Sequence, residues 1–448
     1  MTVTNATNIG NASCAELLGE ARNSYAQAHP LSRAAHTRAA RSMPGGNTRS
    51  VLHFPPFPFY VERSEGCHIW DIDGHKRVDY LCEYTAGLCG HRHPVILSAI
   101  NEALERGWVN GAQHEIDGMF AAALCDRFPS LDRVRFCNSG TEANMMALTT
   151  SRAVTERPAI MAFKGGYHGG VLLFKDGPSV QNAPFETVMA DYNDTEGARK
   201  LLTENAGRLA AVILEPMLGS AGCIPAETGF LRMLREECTR HDIMLIFDEV
   251  MTSRLAPGGL QEMTGVTPDI TTLGKYFGGG FSFGAFGGRA DVIDRFDPDR
   301  PDALTHAGTF NNNPFTMHAG HAVVTQVYTP GRAATLNASG EVLRKRLQSV
   351  ADRHAVPLVF SGVGSMICLH ISDHPVSSPS CGIHTPEAEA AKSLIHLELL
   401  ARGFYFAPRG MIALSLPMTK AEHDQLIDAF DDTLHLLAAN LTRLATAR

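Results

Sequence analysis

Two stretches of this sequence, LAAVILEP (Leu209–Pro216) and IMLIFDEV (Ile243–Val250), begin as continuous apolar runs and end on carboxylates. A strand with one wet face alternates apolar and polar residues, whereas a strand covered on both faces reads as an unbroken apolar run. VRFCN (Val134–Asn138) and AIMAF (Ala159–Phe163) are shorter runs, and helix-like stretches alternate with all four. This pattern predicts an α/β fold built on a mostly parallel sheet with helices on both faces. Ligands of such sheets bind beyond the carboxyl ends of the strands. The chemistry is therefore sought where these runs stop.

The alternation opens at Pro94, which starts a helix-like segment through Trp108, and fades near residue 335. Residues 94–335 are expected to form a large domain. Residues 1–93 hold a helix-prone, Ala-rich stretch to about residue 40, an irregular Pro- and Gly-rich loop (Met43–Tyr60), and HIWDIDGHKRVDYL (His68–Leu81). In the last of these, two β-like runs flank Asp73-Gly74, a hairpin turn signal. So long a loop is often functional. Residues 336–448 contain the strand-like SGVGSMICLHI (Ser361–Ile371) and MIALSLP (Met411–Pro417). A last helix follows, capped by Thr419 with Glu422, with Leu426, Phe430, Leu434, Leu437, Leu441 and Leu444 on one face. The N-terminal segment and residues 336–448 are expected to share a smaller α+β domain.

A chain of 448 residues exceeds one simple core and fits two or three domains. Its 44% hydrophobic and 19% charged content suits a soluble globular enzyme. The net charge of −8 offers no basic face for nucleic acid. No apolar run reaches the roughly 18 residues of a membrane span. The start, MTVTNATNIGNASCAELLGEARNSY, lacks the basic and apolar blocks of a secretory signal. The ten cysteines include no Cys-x-x-Cys pair, which points to reduced thiols in a cytoplasmic protein and away from zinc. His91 and His93 in GHRHP have no acidic or cysteine partner at ligand spacing, so no metal is expected.

Three features fall at strand ends, and two more support them. Asn138-Ser139-Gly140-Thr141-Glu142 follows VRFC and opens a helix; free N–H groups and hydroxyls there suit a phosphate, or a plain helix cap. Asp248-Glu249 ends IMLIF. A buried acid needs a partner, which could be a protonated ring nitrogen, a helix cap or an ion pair. Lys275 stands in TTLGKYFGGG among flexible residues, where an amine could form a Schiff base with an aldehyde. Tyr167 and His168 sit in GGYHGG, which could stack a flat ring on a cofactor or be a plain surface loop; Glu215 ends another run and could order groups near a ring edge or be a structural acid. Lysine for an aldehyde, acid for a ring nitrogen and helix start for a phosphate make a set that suits pyridoxal 5′-phosphate. The carboxylate raises the pKa of the ring nitrogen, and a lysine of near-neutral pKa can shuttle a proton.

FCNSGTEANMMAL, KGGYHG, VILEPMLGSAGCIP, LIFDEVMTSR, TTLGKYFGGGFSFGAFGGRADV and HAGTFNNNPFTMHAG, taken in order, resemble the class III aminotransferases, which are fold-type-I pyridoxal-phosphate enzymes. The resemblance spans about residues 40 to 440. It implies that Lys275 carries the cofactor aldehyde and that Asp248 pairs with the pyridine nitrogen. Ser139, Gly140 and Thr141 would hold the phosphate. Tyr167 would stack on the ring with His168 beside it, and Val250 would pack the opposite face. Thr309 would reach the phosphate in a neighbouring subunit, which implies a homodimer with shared active sites.

Within the class, DEVMT and TTLGK resemble glutamate-1-semialdehyde aminomutase, an intramolecular alternative, but GTFNNNP and GFYFAPRG depart from it. MPGGNTRSVLHFPPFP, EYTAG, DEVMTSRLAPGGL and APRG resemble the β-amino-acid aminotransferases, including those acting on β-phenylalanine. Two arginines fit that chemistry, because guanidinium binds carboxylate in bidentate fashion. A β-amino acid carries its carboxylate one carbon farther from the reacting centre than an α-keto acid does. The resemblance gives Arg49 to the β-amino acid and Arg409 to 2-oxoglutarate or pyruvate; either arginine could instead serve a salt bridge. Phe54, Phe57 and Tyr84 are read as pocket walls or as core.

Overall fold

The apolar runs are neighbours in one sheet. In the computed structural model, which describes residues 12–446, seven strands lie in the order Arg133–Cys137, Gly284–Gly288, Ile270–Gly274, Met244–Asp248, Leu209–Leu214, Ala159–Phe163, Glu186–Ala190. Among the described residues every pairing in this sheet is parallel except the two made by Gly284–Gly288. Ala159–Phe163 and Leu209–Leu214 are buried at every position, which explains their lack of polar alternation; Ile270–Gly274 is equally buried but carries the polar Thr271 and Thr272. Because the parallel strands share one direction, Cys137, Phe163, Leu214, Asp248 and Gly274 all arrive at the same end of the sheet. The antiparallel strand is glycine-rich for a steric reason. A Cβ at Gly284 would sit 2.1 Å from the Ser139 carbonyl oxygen, so the strand can pass close to the turn after Cys137 only without a side chain there.

The expected hairpin at Asp73-Gly74 forms. His68–Asp71 and Lys76–Asp79 pair antiparallel with Ile69 opposite Arg77, and Val61–Glu65 lies outside them. Phe404–Tyr405 completes this sheet from near the other chain end, parallel to Lys76–Asp79 with Phe404 opposite Val78. The Ala-rich stretch forms helices Cys14–Ala28 and Pro30–Ala39; its first eleven residues, on which the leader expectation also rests, lie outside the described residues.

SGVGSMICLHI does not make one strand. It folds at Gly364, whose φ of +54° favours glycine, into the antiparallel pair Leu358–Val363 and Met366–Ile371. MIALSLP contributes only Met411–Ala413. The final helix, Lys420–Thr446, starts as expected: Thr419 donates to the Glu422 carboxylate from its backbone N–H (2.8 Å) and its hydroxyl (2.7 Å). Leu426, Phe430, Leu434, Leu437, Leu441 and Leu444 are all buried.

Candidate active site

At the carboxyl end of the central sheet lies a cavity of about 210 Å³. Lys275 enters it one residue after strand Ile270–Gly274, and Asp248 is the last residue of its own strand. Glu215 follows Leu209–Leu214, and Val250 follows Asp248. Tyr167 and His168 come from the loop after Ala159–Phe163, and Gly140 and Thr141 from the first turn of helix Gly140–Thr155. Arg49 and Arg409 line the same cavity. Ser139 and Thr309 do not. The Ser139 hydroxyl is engaged as the helix cap, accepting from Glu142 N–H at 3.1 Å. Thr309 is exposed on a loop tied back by Asn138, whose amide donates to Asn311 at 2.9 Å.

Lys275 has a left-handed backbone, with φ +56°. That is rare for a residue with a Cβ and clusters at functional sites. Burial pushes its ammonium down from 10.5 to about 8, against the opposing pull of Asp248 and Glu83. Asp248 is held on several sides. Its Oδ2 accepts from Asn144 Nδ2 and from His168 Nδ1, each at 2.8 Å, and its Oδ1 from Val250 N–H at 3.0 Å. The amide of Asn144 is oriented by the Thr272 hydroxyl, which donates to its Oδ1 at 2.7 Å. An ionised carboxylate only accepts, so the proton of His168 is assigned to Nδ1. Glu215 accepts from Tyr167 N–H (3.0 Å) and Gly219 N–H (2.9 Å), and burial lifts its carboxyl to about 7.

These groups fit pyridoxal phosphate on three counts. A carboxylate has about four acceptor positions, and the three bonds to Asp248 leave one for a ring N–H. His168 Nε2 is buried without a hydrogen-bond partner, an arrangement that calls for a missing occupant. The helix start is stripped of bulk: a Cβ at Gly140 would meet Val250 Cγ2 at 2.9 Å. A Cβ at Gly169, whose φ is +125°, would meet the Thr141 hydroxyl at 2.2 Å. The loop bearing His168 thus lies directly on the turn that offers N–H groups to a phosphate.

Elsewhere in the cavity lining, Arg49 is ion-paired with Glu83. The Arg409 guanidinium stacks 4.5 Å from the Tyr84 ring centroid, and its buried Nε has no hydrogen-bond partner. Tyr84 lines the cavity, whereas Phe54 and Phe57 pack in the core against Tyr25 at 5.6 and 5.5 Å. Glu249 serves the structure instead, accepting from the backbone of Leu260 (3.0 Å) and Gln261 (2.9 Å) and from the Thr252 hydroxyl. Sequence reasoning missed Asn144, Ser220 and Met251. Only Asn144 had a signal: a lone amide on a helix face otherwise carrying Ala143, Ala147 and Leu148, which are buried.

Known proteins resemble this chain over most of its length. The family model described as "Aminotransferase class-III" matches residues 52–434. The beta-phenylalanine transaminase of Variovorax paradoxus is 45% identical over 415 residues, which is 92% of this chain and 95% of that protein. A solved beta-phenylalanine aminotransferase from Variovorax paradoxus superposes with a TM-score of 0.94 at 43% identity, covering 96% of this chain and 99% of its own. A transaminase structure with PLP bound gives a TM-score of 0.85 at 31% identity, covering 92% and 99%.

Proposed function

The chain belongs to the class-III aminotransferases, and from that premise we propose that it takes the amino group from an aromatic β-amino acid and passes it to 2-oxoglutarate or pyruvate. It is a fold-type-I enzyme dependent on pyridoxal 5′-phosphate. One observation carries the substrate reading. Two arginines, Arg49 and Arg409, approach Lys275 from opposite ends of the chain and line one cavity with it. A site that must seat carboxylates at two distances from the reacting carbon needs two such receptors.

When bound, the cofactor supplies an electron sink for the charge left as the amino carbon loses its proton. In this reading Gly140 and Thr141 hold its phosphate at the helix start. Ser139 braces that turn as the cap. Asp248, steadied by Asn144 and His168, offers its remaining acceptor position to the ring nitrogen. Tyr167 and Val250 line the ring's slot, and Glu215 fixes the Tyr167 loop through its backbone N–H. Lys275 Nζ holds and moves the proton, a task suited to an amine of pKa about 8. Arg49 takes the carboxylate of the β-amino acid and Arg409 that of the keto acid. Residues 94–335 thus serve the cofactor, while 1–93 and 336–448 each give an arginine to the substrate.

We further propose a homodimer in which Thr309 of each chain completes the other's phosphate site. Exposed apolar rings support it. Trp108 is 46% exposed and Phe281 38%, both beside Phe315 at 5.5 and 6.0 Å, and Phe310, next to Thr309, is 66% exposed. Such a patch is characteristic of an interface. A cytoplasmic location is proposed from the thiols, all ten of which are free; recovery of the chain outside the cytoplasmic fraction would contradict it. The substrate reading is tested by incubating the holoenzyme with β-phenylalanine and 2-oxoglutarate. Glutamate should accumulate. Glutamate formed only from α-amino acids, or turnover that needs no keto acid, as in an aminomutase, would overturn the reading.

A further inference from the structure

The turn Cys82–Thr85 is unusual. Cys82, Glu83, Tyr84 and Thr85 all have positive φ, at +46°, +49°, +50° and +81°. None is glycine, so each left-handed position is unfavourable, and a run of them persists only where the surroundings enforce it. The turn is pinned from below: Leu81 and Cys82 N–H groups both donate to Asp79 Oδ1, at 3.0 and 2.9 Å. Its two central side chains then point to the two arginines. Glu83 forms the ion pair with Arg49. Tyr84, which is buried, presents its ring to the Arg409 guanidinium at 4.5 Å. The Tyr84 hydroxyl donates to the carbonyl of Val51 at 2.7 Å, two residues beyond Arg49 in the same loop.

We propose that Tyr84 is a positioning residue that fixes the separation of the two carboxylate-binding arginines, its hydroxyl setting the loop of Arg49 and its ring setting Arg409. The proposal rests on the reading of these arginines as carboxylate receptors. Its physical content is that one side chain serves two receptors through different atoms, so the two roles separate by mutation. Tyr84→Phe keeps the ring and removes only the hydrogen bond to the loop, a loss of about fivefold in affinity. Tyr84→Leu removes the ring as well, and with it the cation–π contact.

The test uses holoenzyme and two unreactive carboxylates followed by calorimetry: 3-phenylpropanoate in place of the amino donor and glutarate in place of the keto acid. Because neither ligand reacts, the calorimetric outcome does not depend on turnover of β-phenylalanine, whose failure would count against the substrate reading alone and remove only the kinetic readout. Tyr84→Phe should weaken 3-phenylpropanoate about fivefold and glutarate less than twofold, with KM for the donor rising in parallel while kcat moves less. Tyr84→Leu should weaken both. Equal weakening of both ligands by Tyr84→Phe, no weakening of either, or no binding of 3-phenylpropanoate to the parent chain would overturn the proposal.

Discussion

Lys275 combines two unfavourable states, a left-handed backbone and a buried amine. The first costs of order 1–3 kcal/mol, so the surrounding structure must impose it. The second has a kinetic consequence. A pKa lowered from 10.5 to about 8 means that the neutral, nucleophilic amine is a minority below pH 8 and dominates above it. Protein stripped of cofactor should therefore take up pyridoxal phosphate faster as pH rises through about 8, with the rate levelling off beyond. A stopped-flow rate that stays flat through that range would contradict the assignment. Asp248 stood out in the sequence because it ends an apolar run, where a charge demands a reason, and Lys275 because it is isolated among glycines and small residues. Asn144 left a trace, an amide on a buried helix face, but its role was not legible, since that role is set by Asp248 and Thr272, which are distant in sequence. Ser139 shows the converse. Its place at a helix start was readable, but whether its hydroxyl faces a ligand or caps its own helix depends on geometry that the residue type leaves open.

At the level of elements, apolar runs located four of the seven strands of the central sheet, because burial on both faces removes most polar positions. The antiparallel strand Gly284–Gly288 carries little of that signal: three of its five residues are glycine, and its identity depends on what it must pass. The segment Ser361–Ile371 misled for a related reason. Its Val363, Ile367, Leu369 and Ile371 favour strand, and the left-handed Gly364 turns one expected strand into a hairpin. A helix also constrains that turn. A Cβ at Gly340, within helix Pro330–Arg353, would lie 2.0 Å from the Gly364 carbonyl oxygen, so helix and hairpin touch backbone to backbone. Phe54 and Phe57 could not be assigned from sequence, because aromatic residues in a Pro-rich loop serve a pocket or a core equally well; packing against Tyr25 decided it.

For the whole molecule, the chain ends meet: Phe404–Tyr405 pairs with Lys76–Asp79, and that sheet leads into the turn that holds both arginines. Assembly is the next level. Light scattering should give about twice 48.4 kDa at micromolar concentration. Trp108→Asp, which places a charge among the exposed rings, should yield monomers with weakened cofactor binding. A fully active monomer would contradict the shared site. Every proposed step depends on Lys275, and borohydride reduction of the purified holoenzyme followed by peptide mass analysis tests its role most directly. The pyridoxyl phosphate mass should appear on the peptide carrying Lys275; finding it on another lysine, or on none, would contradict that role.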